Sequence, residues 1–177
     1  MKLKNKDVST LSRAEMHEKT MRNIYKGTFW GAMVGVVLYS LSQFFAIGLN
    51  MSPSLPGKIY IIKKHDSDYL RTGETIGFNY YGEFYPHGTL LTKHVVGLPG
   101  DVVTEKDRIF YINGQPVGRA KEVSLNGEPL EMNPFRGVIP AGKFWFATDH
   151  VDSFDSRYKL SGLGDMQDIV GRAYKIW

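Results

Sequence analysis

Leu90-Leu-Thr-Lys-His-Val-Val-Gly-Leu-Pro-Gly-Asp101, near the middle of this chain, is an apolar and β-branched run that ends in a Pro-Gly turn. Such a run, bounded by glycine and proline, predicts a β-strand followed by a tight turn. Lys93 lies inside it with apolar residues on both sides. A strand lysine usually lies on the solvated face because unpaired lysines are rarely buried. The run alone therefore leaves the position of this side chain open.

Similar strand signals occur on both sides of this run. Lys58–Ile62, Arg108–Ile112 and Lys143–Ala147 are rich in β-branched or aromatic residues and are bounded by glycine, proline or asparagine. No long stretch with a helical period competes with them within residues 50–177. This part of the chain is therefore predicted to form β-strands.

Turn signals separate the predicted strands. Asn113-Gly114 and Asn126-Gly127 predict tight hairpins, because a type I′ turn needs positive φ at both central residues. Ile139-Pro-Ala-Gly142 predicts a further turn. Short strands joined in this way predict an all-β, barrel-like domain of antiparallel strands over residues 50–177.

An uncharged segment precedes this domain. No residue from 27 to 49 carries a charge, and roughly 20 apolar residues suffice to cross a bilayer. A cleaved secretory signal is the alternative, but its apolar core runs to only about 7–15 residues behind a short basic lead. The longer lead and longer run favour an uncleaved anchor. We therefore predict a mainly β protein with a single N-terminal transmembrane helix at 27–49.

The distribution of charge predicts the orientation of this helix. Basic residues outnumber acidic ones within residues 1–26, and positive flanks stay cytoplasmic. The prediction is a basic cytoplasmic tail at 1–26 and a domain at 50–177 across the membrane, in the periplasm or outside. A periplasmic domain held at the inner membrane is the preferred location. The net charge of +4 belongs to the tail, since basic and acidic residues balance in the domain. The lipid bilayer is thus a predicted partner and nucleic acid is not.

Asn50-Met-Ser-Pro-Ser-Leu-Pro-Gly57 directly follows the predicted anchor. A serine between prolines is most often a turn residue. Even a fully extended chain places Ser54 only about 17 Å beyond Leu49, which suits the cleavage of a membrane-embedded substrate. Ser54 is therefore a candidate nucleophile.

A serine nucleophile needs a base near neutral pH. A Ser-His-Asp arrangement stays open, because its members converge only in space, although no nucleophile-elbow pattern supports it. The other solution is a lysine whose pKa, ordinarily near 10.4, is lowered by burial. Lys93 is the candidate lysine. The five histidines are His17, His65, His87, His94 and His150.

The segment Lys93-His-Val-Val-Gly-Leu-Pro-Gly-Asp101 resembles the lysine motif of type I signal peptidases. These are membrane-anchored serine-lysine proteases that remove leader peptides from exported proteins. Asp152-Ser-Phe-Asp-Ser-Arg157 resembles the last conserved box of the family, and 138–149 resembles the strand that enters it. The resemblance implies a β-rich fold, Ser54 as nucleophile and Lys93 as general base.

The same resemblance implies supporting roles for four further residues. Ser153 is implied to hydrogen-bond the lysine amine. Ser52 and the backbone N–H of Ser54 are implied to bind the oxyanion, although a turn or cap role for Ser52 stays open. Asp155 and Arg157 match the family's structural ion pair. Asp149, Asp152 and Asp155 could also suggest calcium, but the glycine-punctuated spacing of a calcium loop is absent, so we predict no metal and no cofactor.

Departures from the general pattern point to one branch of the family. Leu55 replaces the usual methionine after the nucleophile, and 148–151 replaces a Gly-Asp-Asn-Arg entry. Asn50-x-Ser-x-Ser-x-Pro56, followed by Gly57 and Tyr60, resembles the TraF-like peptidases of conjugative type IV secretion. That branch processes the pilin precursor, and in some members the pilin amino terminus resolves the acyl-enzyme to give a cyclic product.

Three functions follow in order of preference. The first is a pilin-processing endopeptidase with ring closure as an extension, the second is a general signal peptidase acting on other preproteins, and the third is a non-catalytic membrane-tethered assembly factor. The aromatic segment Phe78–Tyr85 has two interpretations, an interfacial surface or part of the core, with the core slightly favoured.

Overall fold

The computed structural model describes residues 12–177, so part of the predicted tail at 1–26 lies outside the described residues. The contacts divide the chain into two units, 1–43 and 44–177. In the first unit, Ser12 and Glu15 form a reciprocal capping box, with Glu15 N–H donating to Ser12 Oγ at 3.3 Å and Ser12 N–H donating to Glu15 Oε2 at 2.9 Å. Helix α1 follows over Arg13–Phe44.

The predicted transmembrane helix at 27–49 is not what the structure contains. α1 ends at Phe44, and Phe45–Leu49 form a strand. Within residues 12–177, the structure has no helix that combines the length and the apolar character needed to cross a bilayer. The reason for the wrong boundary is that five apolar residues suit a strand as well as a helix, and here a neighbouring strand satisfies their backbone groups.

The second unit is built from strands, in agreement with the mainly β prediction. In chain order they are β1 Phe45–Leu49, β2 Ile59–Lys64, β3 Thr75–Tyr80, β4 Thr89–Gly97, β5 Val102–Lys106, β6 Ile109–Ile112, β7 Gln115–Arg119, β8 Gly137–Val138, β9 Lys143–Ala147, β10 Gly164–Asp165 and β11 Ile169–Lys175.

These strands form two sheets. The 7-stranded sheet has the order β1-β2-β11-β3-β4-β9-β10, and the 4-stranded sheet has the order β7-β6-β5-β8. β1 and β10 are the edges of the larger sheet among the described residues, so the sheets stay open. The predicted barrel-like closure is therefore wrong. The two edge strands differ too much in length for closure, since β10 has only 2 residues.

Both sheets contribute apolar side chains to a buried core. Trp145 of β9 packs its ring 5.2 Å from that of Phe110 of β6, joining the larger sheet to the smaller one. Phe78, Phe144 and Phe146 form a second cluster within the larger sheet. β4 lies between β3 and β9 in this sheet, so its inward-facing side chains are surrounded on both sides.

Of the two predicted Asn-Gly turns, the structure confirms one as type I′ and not the other. Asn113 and Gly114 have φ of 49° and 79°, so the predicted type I′ turn between β6 and β7 is confirmed. Gly127 has φ of 82°, but Asn126 is not among the residues with positive φ, so this reversal is not type I′. Asp107 and Arg108 form a tight turn that lacks the usual Asn-Gly signal, with φ of 54° and 63°. The Arg108 guanidinium stabilises this turn by donating to the Ala120 carbonyl at 2.9 Å.

Candidate active site

Lys93 lies in the middle of β4, opposite Ile76 of β3. Its side chain is buried, with 6% of the residue exposed. The amine Nζ donates hydrogen bonds to Ser54 Oγ at 3.1 Å and to Ser153 Oγ at 2.8 Å. Three residues that are far apart in the sequence therefore meet at one buried nitrogen.

Ser54 lies in the loop between β1 and β2, and Asn50 organises this loop. The Asn50 N–H donates to the Lys58 carbonyl at 2.9 Å. Its side-chain Nδ2 donates to the carbonyls of Leu55 at 2.8 Å and Gly57 at 2.9 Å. This structural role of Asn50 was not predicted from the sequence, although asparagine is a common organiser of turns through such bonds.

Ser52 is a second neighbour of the Ser54 hydroxyl. The two hydroxyl oxygens are 2.8 Å apart, and Ser52 Oγ also donates to Asn50 Oδ1 at 3.3 Å. Because the Asn50 carbonyl oxygen only accepts, the Ser52 hydroxyl is directed by a fixed partner. The Ser52 hydroxyl therefore lies close to any group that becomes bonded to Ser54 Oγ.

Ser153, Asp155 and Arg157 lie in the segment after β9, and all three are buried. Arg157 forms a bidentate pair with Asp155, with Nε to Oδ1 at 2.8 Å and Nη2 to Oδ2 at 2.8 Å. The guanidinium also donates to the carbonyls of Arg119 and His150, each at 3.0 Å. This pair therefore fixes the segment that carries Ser153.

The environment of Lys93 favours the neutral amine. Burial lowers the pKa of Lys93 from 10.5 to about 8, while the nearby Asp155 carboxylate raises the pKa and Arg157 lowers it. At pH 7 a pKa near 8 leaves about one amine in ten neutral, whereas an ordinary lysine has fewer than about one in a thousand. Lys93 can therefore act as a base near neutral pH.

The histidine alternative finds no support in the geometry. In the described part of the chain, the hydrogen bonds of Ser54 Oγ run to Lys93 and Ser52. His94 shares instead a hydrogen bond of 3.0 Å with Thr75 Oγ1. His150 Nδ1 accepts from the backbone N–H of Asp152 at 3.1 Å.

The acidic residues of the suggested calcium cluster have other partners. Asp155 is paired with Arg157, and Asp152 forms an ion pair with Lys121. Within residues 12–177, no group of three or more possible metal ligands comes together.

A cavity of about 470 Å³ opens beside the serine loop. Its lining includes Met51, Ser52, Pro53, Lys58 and Trp177. The wall is mostly apolar and includes Ser52, so the space beside the Ser52 hydroxyl can accept a peptide segment. A serine hydroxyl against a buried lysine amine, with a cavity beside it, is typical of a serine hydrolase that uses lysine as its base.

Sequence comparison gives the family. The profile of the family described as signal peptidase, peptidase S26, matches residues 21–177. The chain therefore belongs to this family of serine endopeptidases, which use a serine-lysine dyad.

Individual relatives agree with this assignment. Signal peptidase I of Pseudomonas aeruginosa is 32% identical, with alignment over 78% of this chain and 58% of the relative. Signal peptidase I of Bacillus licheniformis is 30% identical, over 78% of this chain and 81% of the relative. The chain thus spans less than two thirds of the Pseudomonas protein. A solved signal peptidase I from Enterococcus faecalis V583 aligns with a TM-score of 0.41 and 24% identity, over 59% of this chain and 97% of that one.

Proposed function

We propose that this protein is a membrane-associated serine endopeptidase in which Ser54 is the nucleophile and Lys93 the general base. We further propose that it processes the pilin precursor of a conjugative type IV secretion system. The observation that carries the proposal is the buried Lys93 amine, with its lowered pKa, 3.1 Å from Ser54 Oγ. A lysine buried in this way is costly to stability, and a catalytic role accounts for that cost.

The proposed chemistry begins with attack of Ser54 Oγ on the scissile carbonyl carbon. Lys93 Nζ accepts the Ser54 proton as the bond forms, and Ser153 Oγ holds the amine in place. The oxyanion receives hydrogen bonds from the Ser54 backbone N–H and from the Ser52 hydroxyl, which turns from Asn50 Oδ1 to the oxyanion. One such donor is worth about 3 kcal/mol in the transition state. The Lys93 ammonium then protonates the leaving amine, which leaves an ester on Ser54.

The second half of the reaction decides between hydrolysis and ring closure. In hydrolysis, Lys93 takes a proton from water as water attacks the ester, and it returns the proton to Ser54 Oγ as the ester bond breaks and the acid is released. Ring closure requires that the acyl group on Ser54 is the carboxyl end of the pilin itself, after cleavage of a C-terminal extension. The pilin amino terminus then attacks this ester in place of water, and the new amide bond forms as the ester bond to Ser54 Oγ breaks. An amine held next to the ester competes through its high effective concentration. The cavity beside Ser52 offers room for such a segment.

The pilin assignment is supported by the residues around the nucleophile. Asn50, Pro56 and Tyr60 carry the resemblance to the TraF-like branch. Asn50 holds both sides of the serine loop, and the Tyr60 hydroxyl donates to the Pro56 carbonyl. The branch-like residues thus contribute to the shape of the loop that presents Ser54.

Membrane attachment belongs to the same proposal. Apolar side chains along α1 are exposed, among them Phe29, Trp30, Val37 and Leu38. Lys19, Arg22 and Lys26 precede them on the same helix, and basic residues beside exposed apolar ones support attachment of this helix to the inner membrane. The proposed division is a tail at 1–26, a membrane-associated helix that ends at Phe44, and a peptidase domain after it.

General signal peptidase activity is the second candidate. The observation that favours it is that the Pseudomonas and Bacillus relatives are both named signal peptidase I. A non-catalytic assembly factor is the third candidate, but it offers no reason for a buried lysine between two serine hydroxyls.

Co-expression with the pilin precursor tests the proposal. We expect the protein to sediment with membranes and the pilin precursor to be cleaved to its mature form, as measured by intact mass of the purified pilin. A product one water lighter than linear mature pilin would support ring closure. A host preprotein expressed in parallel is the control, and it is expected to stay uncleaved. Equal cleavage of both would favour the general signal peptidase, and a precursor left intact by the wild-type protein would contradict pilin processing.

The pH dependence of cleavage tests the identity of the base. Because only the neutral amine accepts a proton, kcat/KM is expected to rise about tenfold per pH unit below the Lys93 pKa of about 8 and to level off above it. His94→Asn is the matched control and is expected to leave the midpoint unchanged. A midpoint near 6.5 that disappears in a histidine variant would assign the base to histidine instead.

A further inference from the structure

Four aromatic rings meet beside the proposed dyad. Tyr80 ends β3, Phe84 and Tyr85 belong to the β3–β4 connection, and Phe154 lies between Ser153 and Asp155. The Phe84 ring stacks on the Phe154 ring with centroids 4.7 Å apart and planes inclined by 15°. Tyr85 and Tyr80 meet Phe154 edge-on, at 5.2 and 5.4 Å. We call these four residues the aromatic clamp.

The clamp is tied to the sheet that carries Lys93. Tyr80 is the last residue of β3 and pairs with Thr89, the first residue of β4. Tyr80 is buried, and its hydroxyl donates to the Leu160 carbonyl at 3.0 Å. The Tyr80 side chain therefore links the β3–β4 hairpin to the chain that follows Arg157.

Phe154 depends on this clamp for its position. Its neighbours are fixed by other groups, since Ser153 N–H donates to the His150 carbonyl at 3.2 Å and Asp155 pairs with Arg157. None of the described hydrogen bonds involves the Phe154 backbone. Ring contacts thus hold the residue that directly follows Ser153. The Ser153 hydroxyl, in turn, contacts the Lys93 amine at 2.8 Å.

We propose that the aromatic clamp is a positioning device that keeps the Ser153 hydroxyl against the Lys93 amine. Phe84 and Tyr85 act as positioning residues through Phe154, without touching the reacting atoms. Displacement of Phe154 moves Ser153. The Lys93 amine then loses the position in which it accepts the proton of Ser54 Oγ. This inference rests on the proposed function and adds to it a role for Tyr80, Phe84 and Tyr85, the residues of the aromatic segment that contact Phe154.

The exposure of Phe84 supports a positioning role over simple core packing. Phe84 is 53% exposed, yet its ring lies nearly parallel to that of Phe154. A half-exposed ring adds less to core stability than a buried one, because the hydrophobic contribution scales with the apolar area removed from water. Phe84→Ala is thus a variant in which catalysis and folding can be separated.

A double-mutant cycle between Phe84 and Ser153 tests the proposal. Cleavage is measured on the full chain in detergent, with the precursor that the wild-type protein processes. Phe84→Ala is expected to lower kcat about tenfold with KM nearly unchanged, because small displacements of a positioned group are costly. In the Ser153→Ala background the same substitution is expected to have no further effect.

Two variants serve as controls. Phe84→Tyr keeps the stacked ring and is expected to keep wild-type kcat. Tyr81→Ala removes a ring of the same loop that contacts His87 and not Phe154, and it is also expected to keep wild-type kcat. Thermal unfolding of each variant shows whether a loss of activity follows a loss of folded protein.

The possible results distinguish a failure of the clamp proposal from a failure of the proposed Ser54–Lys93 dyad. Equal kcat for Phe84→Ala and the wild type would overturn the clamp while leaving the dyad intact, and so would a tenfold loss that persists undiminished in the Ser153→Ala background. Full activity of Ser54→Ala would instead contradict the proposed function. Additive losses accompanied by a lower unfolding temperature would mean that the clamp is only structural.

Discussion

Lys93→Met is expected to abolish precursor cleavage while making the folded domain more stable. Without the amine, Ser54 has no base to accept its proton, and removing a member of a catalytic set lowers kcat by about a thousandfold or more. Methionine is close to lysine in length and is compatible with a buried site. The loss of activity is therefore expected without a loss of structure.

The gain in stability follows from the lowered pKa of Lys93. In the unfolded chain the amine titrates near its ordinary value of 10.5, whereas burial lowers the pKa to about 8 in the folded protein. The unfolded state therefore binds the proton more tightly, and the free energy of unfolding is reduced below pH 8 by about 3 kcal/mol. This penalty shrinks as the pH rises from 8 to 10.5. Methionine removes it.

Denaturant unfolding at pH 7 and pH 10 measures this effect. The difference between Lys93→Met and the wild type is expected to be up to about 3 kcal/mol at pH 7 and much smaller at pH 10. Ser54→Ala is the matched control, since it is also expected to be inactive but its free energy of unfolding should depend on pH as the wild type's does. Cleavage at a normal rate by either variant would disprove the proposed dyad.

The sequence predicted best those strands whose pattern is continuous. The runs at 58–62, 89–96, 108–112 and 143–147 correspond to β2, β4, β6 and β9, within one or two residues. β3 and β11 were missed, because Gly77 and Gly171 interrupt their patterns. Glycine is needed at both positions because the backbone passes close to residues that are distant in the sequence. A Cβ at Gly77 would come within 2.4 Å of Ile62 Cδ1, and one at Gly171 would come within 1.9 Å of the Lys63 carbonyl oxygen.

The candidate site was predicted residue by residue, but its geometry was not. Ser54, Lys93 and Ser153 stood in recognisable motifs, and the fold brings both serine hydroxyl oxygens within 3.1 Å of Lys93 Nζ. The contacts of Asn50 and the stacking of Phe84 on Phe154 depend on loop conformation and on residues distant in the sequence. Hydrophobic period and turn composition carry no information about such contacts.

Asp155→Asn is expected to lower the free energy of unfolding by about 3–5 kcal/mol, because it leaves the buried Arg157 guanidinium without its counter-charge. Both side chains are buried, with relative exposures of 2% for Arg157 and 0% for Asp155. Denaturant unfolding near pH 7 measures the effect. Lys121→Ala is the comparison, since it breaks a partly exposed ion pair with Asp152 and is expected to cost about 1 kcal/mol or less.

The same substitution also reports on the dyad, because the Asp155 carboxylate raises the pKa of Lys93 and Arg157 lowers it. With the carboxylate removed and the guanidinium kept, the midpoint of the kcat/KM profile should move to lower pH. The double variant Asp155→Leu, Arg157→Met removes both charges and is expected to recover part of the lost stability. It leaves the carbonyls of Arg119 and His150 without their guanidinium donor, so full recovery is not expected. If Asp155→Asn were as stable as the wild type, the ion pair could not be what fixes the segment that carries Ser153.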